Sequence, residues 1–122
     1  MNTQPIVAWT EIPVSNIKKA TAFYNAAFGW TMEVDHTGPA PMAVLGGHMD
    51  VAGANLYESD AAKGGQGPRP HITIKTSLED AMTRWESAGG KVISDPVVIE
   101  HGRFVFATDP DGNTLGLFEA KE

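Results

Sequence analysis

Cysteine is absent from the 122-residue chain. That removes disulfides, thiolate metal sites and a cysteine nucleophile together, and it fits a cytoplasmic setting. Basic charge is scarce: nine Lys and Arg stand against fifteen Asp and Glu, for a net charge of −6. The basic residues are scattered, with only Lys18 and Lys19 adjacent, so the chain offers no cationic track for a nucleic acid. Long apolar runs are missing as well. No segment approaches the roughly 18 apolar residues of a membrane span, and residues 1–5 lack the basic start and apolar stretch of a signal peptide. What the chain does hold is 42% hydrophobic residues, which at this length supply the core of one domain but not comfortably of two.

The apolar residues repeat. Residues 6–12 have strand length and β-favouring composition, and Pro13 is expected to close that strand. Ser15 or Asn16 can cap a helix on which Ala20, Phe23, Tyr24, Ala27 and Phe28 fall at helical spacing before Gly29. Strands are then expected at 30–34, 42–45 and 51–57, around Gly46 and Gly47. The second half begins with an alternating strand at 71–75. Ser77, Leu78, Glu79 and Asp80 have the spacing of a capping box, Ala81, Trp85 and Ala88 continue a helix, and Gly89 and Gly90 stop it. Strands at 91–94, 104–108 and 113–119 follow, the last two joined by the turn sequence Asp109-Pro110-Asp111-Gly112. Ala20, Tyr24, Ala27 and Gly29 match Ala81, Trp85, Ala88 and Gly90 at an offset of 61, and Trp9 lies over His71 at 62. Residues 59–69 contain four Gly or Pro and read as a linker. The expected organisation is one domain over 1–122, with a first module at 6–58 and a second at 70–119.

Ala22-Phe23-Tyr24-Asn25-Ala26-Ala27-Phe28-Gly29-Trp30 resembles the first-helix signature of the vicinal oxygen chelate superfamily. This is the group of glyoxalases, bleomycin resistance proteins and extradiol dioxygenases. Asp109-Pro110-Asp111-Gly112-Asn113 resembles its last-hairpin signature, and His71 before an alternating strand also matches. The resemblance covers about residues 6–119. It implies an α+β fold in which two tandem βαβββ modules, each a four-stranded sheet with its helix on one side, form a curved eight-stranded assembly around a central cavity. Alternation then sorts the strand residues. Ile6, Ala8, Thr10, Ile12, Ile72, Ile74, Leu115 and Leu117 should face the helices. Val7, Trp9, Glu11, His71, Thr73, Lys75, Thr114, Gly116 and Phe118 should face the cavity.

Enzymes of that superfamily generally hold a divalent metal on the cavity floor, with His, Gln or Glu ligands from the first and last strands of both modules. A cation there would act as a Lewis acid and needs convergent oxygen or nitrogen donors. By resemblance the positions fall on Trp9, on Gly53 or Asn55, on His71 and on Gly116; Gly116 stands where the signature carries Glu. Only His71 is a competent ligand, so no cofactor is expected, and a divalent metal only at a displaced site built on His71 and Glu11. The floor that remains offers Trp9, Tyr57 and Phe118 for stacking, and Glu11, Asn55, His71 and Thr73 for polar contacts. Arg103 at a strand start reads as a surface ion-pair partner, and Asp109 and Asp111 read as turn chemistry. Three functions remain open. One is a metal-independent protein that binds a small organic ligand, as in the drug-sequestering branch of the family. Another is a metal-dependent lyase, isomerase or ring-cleaving dioxygenase with a displaced site. The third is a metal-free acid–base enzyme using Glu11 and His71. A homodimer is expected, side by side or with exchanged modules, because sheet edges and cavity rims are costly to leave open.

Overall fold

A computed structural model describes residues 9–60 and 67–121. In chain order the elements are β1 (Thr10–Val14), α1 (Ile17–Phe28), β2 (Met42–Val44), α2 (Met49–Ala52), β3 (Ala54–Glu58), β4 (His71–Thr73), α3 (Leu78–Ala88), β5 (Lys91–Val92), β6 (Val97–Ile99), β7 (Gly102–Thr108) and β8 (Thr114–Ala120). The fold is α+β, with eight strands in two sheets, one sheet and one long helix per module. The first sheet has the order β1-β3-β2; in the second, β4-β8-β7-β5 are joined in a row and β6 also pairs with β7. In both, the first strand of the module lies at an edge and runs parallel to the last strand.

The two long helices are capped alike. The Asn16 side chain accepts from the Lys19 amide at 3.0 Å, and the Ser77 hydroxyl accepts from the Asp80 amide at 3.1 Å. These contacts satisfy donors that the first helical turn leaves open. A glutamate at the end of each last strand reinforces the cap: Glu58 accepts from Ile17 N and Glu119 from Leu78 N. The apolar faces of α1 and α3 pack together through Phe23 and Trp85, whose ring centroids are 4.9 Å apart. Ile12, Val14 and Leu56 of the first sheet close over α1, and Val105, Ala107, Leu115 and Leu117 of the second over α3, in one continuous core. The layers therefore run sheet, helix, helix, sheet. Burying a side chain such as Leu56 or Leu117 contributes about 1.5–3 kcal/mol as an upper estimate.

The strand-face alternation holds in part: Ile72 and Ile74, expected against the helix, also line a cavity, and Thr114, expected to face it, is buried away from it. Ile12, Val14, Leu56, Leu115 and Leu117 are buried against helices while Glu11 and His71 are exposed. Ile6, Val7 and Ala8 lie outside the described residues. Several boundaries differ from expectation. β1 runs through Pro13 to Val14, because an edge strand tolerates a residue without an amide donor. Residues 30–34 do not form a strand: the Asn25 side chain takes the amide of Met32 at 2.7 Å and donates to its carbonyl at 3.1 Å, so the backbone groups a ladder would use are already satisfied. Val51 belongs to α2, and β3 starts only at Ala54. The modules accordingly carry three and five strands rather than four each, β6 being the addition. α3 is capped by Gly89, one residue before the position that matches Gly29.

Candidate functional site

The positions that the sequence marks as a metal floor pair off within each module. In the first, Trp9 donates its indole N–H to Asn55 Oδ1 at 2.6 Å, and Asn55 Nδ2 donates to the Leu56 carbonyl at 3.0 Å. Glu58 and Glu119, equivalent by their capping role, each lie three residues after Asn55 and Gly116. Counted from the capping glutamates Asn55 matches Gly116, whereas on the neighbouring strand Asn55 is level with Glu11 rather than with Trp9. In the second module His71 is level with Gly116 on the neighbouring strand, and its ring lies directly over the glycine. A Cβ at Gly116 would sit 2.2 Å from His71 Nδ1, so the imidazole occupies the volume that a larger side chain needs. Phe104 and Phe106 flank that ring edge-on, at centroid distances of 5.0 and 5.7 Å, and the Arg69 guanidinium lies 4.3 Å over Phe106. Phe104 and Phe106 were not anticipated as site residues; their i, i+2 spacing in an alternating strand carried the signal.

A cavity of about 710 Å³ opens between the modules beside the free edge of β4. Phe28 and Trp30, stacked with centroids 4.4 Å apart, form one wall. Leu45 and His48 contribute from the segment between β2 and α2, His71, Thr73 and Lys75 from β4 and beyond, and Arg84 from α3. Of the expected ligand contacts, His71 and Thr73 reach this cavity. Trp9, Glu11, Asn55, Tyr57 and Phe118 do not line it. Trp9, Glu11, Asn55 and Tyr57 share the face of the first sheet turned away from α1, where Trp9 is 37% exposed and Asn55 is buried beneath it. Phe118 lies on the open face of the second sheet, opposite Phe104. Glu11 and His71 therefore stand on different sheets within one chain.

Two ionic clusters lie outside the cavity. Asp109 is buried and accepts from Tyr24 Oη at 2.9 Å, from the amides of Asp111 and Asn113 at 3.0 and 2.8 Å, and from Asn113 Nδ2 at 2.9 Å. Burial pushes its carboxyl up, against the pull of those hydrogen bonds, and burial beside Asp109 pushes the Tyr24 hydroxyl well up. Asn113 also donates to the Pro13 carbonyl at 2.7 Å, and Asp111 accepts from Ser15 N at 3.0 Å, so this turn fastens the second module to the first. Arg103 forms two 2.7 Å bonds to Glu79 and a further one to Glu119. Its guanidinium holds both carboxyls below the usual carboxylate range, and the carboxylates raise the Arg103 value in turn. These contacts join α3 to β7 and β8, the surface role expected of Arg103.

The family model described as the Glyoxalase/Bleomycin resistance protein/Dioxygenase superfamily matches residues 6–117. The chain belongs to this superfamily. A glyoxylase-like domain-containing protein from Didymella fabae is 26% identical over 120 residues, covering 91% of each chain. Among solved structures, a mutant of the fosfomycin resistance protein FosX from Listeria monocytogenes, complexed with Mn(II) and 1S,2S-dihydroxypropylphosphonic acid, superimposes with a TM-score of 0.70 at 18% identity, covering 98% of this chain and 93% of that one. A glyoxalase/bleomycin resistance protein/dioxygenase family enzyme from Burkholderia phytofirmans gives 0.70 at 14% identity, with 94% and 98% covered. These likenesses establish the fold.

The superfamily's metal does not fit the four positions of this member. An indole N–H, a carboxamide whose oxygen and nitrogen are both engaged, an imidazole among phenyl rings and a glycine supply no convergent donor set. Among the described residues no group of three or more His, Cys, Asp or Glu could hold a metal ion. Among them, too, no helix is long and apolar enough to cross a membrane.

Proposed function

We propose that this superfamily member binds a small organic molecule in the inter-module cavity and holds no divalent metal at the family position. The observation that carries the reading is the His71 ring lying over Gly116. One of the four positions is a glycine, and its neighbour has closed over the gap. What remains is a cavity of about 710 Å³, in the size range of small-molecule sites, with apolar walls and a few polar groups. The family's activities as metal-dependent lyase, isomerase or dioxygenase need donors these positions lack. An acid–base pair of Glu11 and His71 needs the two residues in one cavity.

A homodimer belongs to the same reading. The layer order turns the Trp9–Glu11–Tyr57 face and the His71–Phe104–Phe106 face away from their own helices. A second copy can bring one of each together, with modules exchanged, which covers both faces and leaves the inter-module cavity as the ligand site. The protein is taken to work in the cytoplasm.

The test is metal analysis of protein purified without chelators, joined to sedimentation. Zn, Ni, Mn and Fe are expected far below one equivalent per chain, with a dimer at micromolar concentration. Near-stoichiometric metal that disappears in His71→Ala would overturn the metal-free reading, and a stable monomer would overturn the dimer.

A further inference from the structure

We propose that the inter-module cavity selects an organic anion, a flat and largely apolar molecule bearing a carboxylate. The inference rests on the cavity being the ligand site and names what that ligand must carry.

The chain is acidic, at −6, yet among the residues whose side chains are described no Asp or Glu lines this cavity. The charged residues described there are Lys75 and Arg84, joined by the imidazoles of His48 and His71. Among the described residues, neither Lys75 nor Arg84 has an ion pair or a side-chain hydrogen bond; the ion pairs there all belong to Arg103. Arg84 lies beside the end of α1. Its guanidinium lies against Gly29, where a Cβ would stand 3.4 Å from Nη1, at the C-terminal end of α1. The helix dipole favours a cation there without neutralising it as a carboxylate would. The planar fork keeps its donors for a ligand, and a carboxylate matches that geometry with two parallel bonds.

The walls set the body of the ligand. Phe28 and Trp30 are stacked at an interplanar angle of 23° and only partly buried. Leu45 and Ile72 add aliphatic surface. A planar apolar group can lie along these walls with its charged end toward Arg84 and Lys75. A neutral molecule of the same shape gains the walls but not the charge, and a cation meets like charge.

The experiment is calorimetric titration of the intact protein with 2-naphthoate, 2-naphthamide and 2-naphthylmethylammonium, at low and at high NaCl. We expect 2-naphthoate to bind about 10-fold tighter than the amide at low salt, in keeping with a charge-assisted pair. The ammonium should bind weakest, and the naphthoate advantage should shrink as salt rises. In Arg84→Gln/Lys75→Gln the acid-to-amide ratio should fall to near one, while Lys91→Gln, which lies off the cavity, leaves it unchanged. Trp30→Leu should weaken acid and amide by similar factors. Equal binding of acid and amide by the wild-type protein overturns the anion selection and leaves the cavity reading standing. Failure of all three probes to bind at millimolar concentration overturns the cavity reading, and the selection with it. The salt series needs no variant, so it decides the matter even if a substitution unfolds the chain.

Discussion

Asn16 and Ser77 cap the two long helices, and Glu58 and Glu119 accept the first helical amide of each, at 3.0 and 3.1 Å. Up to that point the modules are copies. They part company at their sheets. β7 and β8 are seven residues each, joined by a turn that Asp109 ties together, whereas β2 is three residues long and gives way to a glycine-bearing turn and the short α2. Their open faces differ too. The first holds a hydrogen-bonded Trp9–Asn55 pair, the second an aromatic cluster built on His71. A repeat conserves what a helix needs locally, namely a cap and a spaced apolar face. The sheets diverge because their length depends on the turn between strands, and the open faces because nothing in the core constrains them.

The sharpest way to break the comparison is at the helix pair. Tyr24 and Trp85 occupy matching positions, both fully buried, but Trp85 is the larger and donates to the Thr108 carbonyl at 2.9 Å. Trp85→Ala should cost about 3–5 kcal/mol in urea unfolding. Because both helices feed one core, the wild-type transition should be single for near- and far-ultraviolet circular dichroism alike. Two separated transitions would mean that the modules fold independently.

The next effect separates the open faces. Gly116→Ala forces the His71 ring aside and should destabilise by about 1–3 kcal/mol. Asn55→Ala, at the matching position, loses the Trp9 hydrogen bond and should cost about 1 kcal/mol. His71→Ala should relieve part of the Gly116→Ala loss in a double-mutant cycle, and additivity would show that the ring is not packed there.

The smallest effect is ionic and belongs to the second module. The Arg103 guanidinium lowers Glu79 and Glu119, so the stability they contribute is present above their ordinary value near 4.5 and is lost as pH falls through the lowered folded values. Arg103→Gln should flatten that acid limb of a stability-against-pH curve while changing neutral-pH stability little, as expected of exposed pairs. An unchanged limb would assign acid unfolding elsewhere.

Much of this protein is local and therefore legible from the chain. Helical spacing and capping residues specify α1 and α3, Asp109-Pro110-Asp111-Gly112 specifies the last turn, and period-two alternation sorts the described strand faces in part. Tertiary structure decided the rest, because it turns on partners distant in sequence. Nearer in sequence, but still beyond the reach of composition, Asn25 holds Met32 and so removes a strand that composition favours. A side-chain hydrogen bond made Asn55 the partner of Trp9, and strand pairing set His71 on Gly116. Only the packing of α1 against α3 brings Arg84 to Gly29 and assembles Trp30, Lys75 and Arg84 around one cavity. A periodic pattern reports which face of an element is apolar, but not which other element that face will meet.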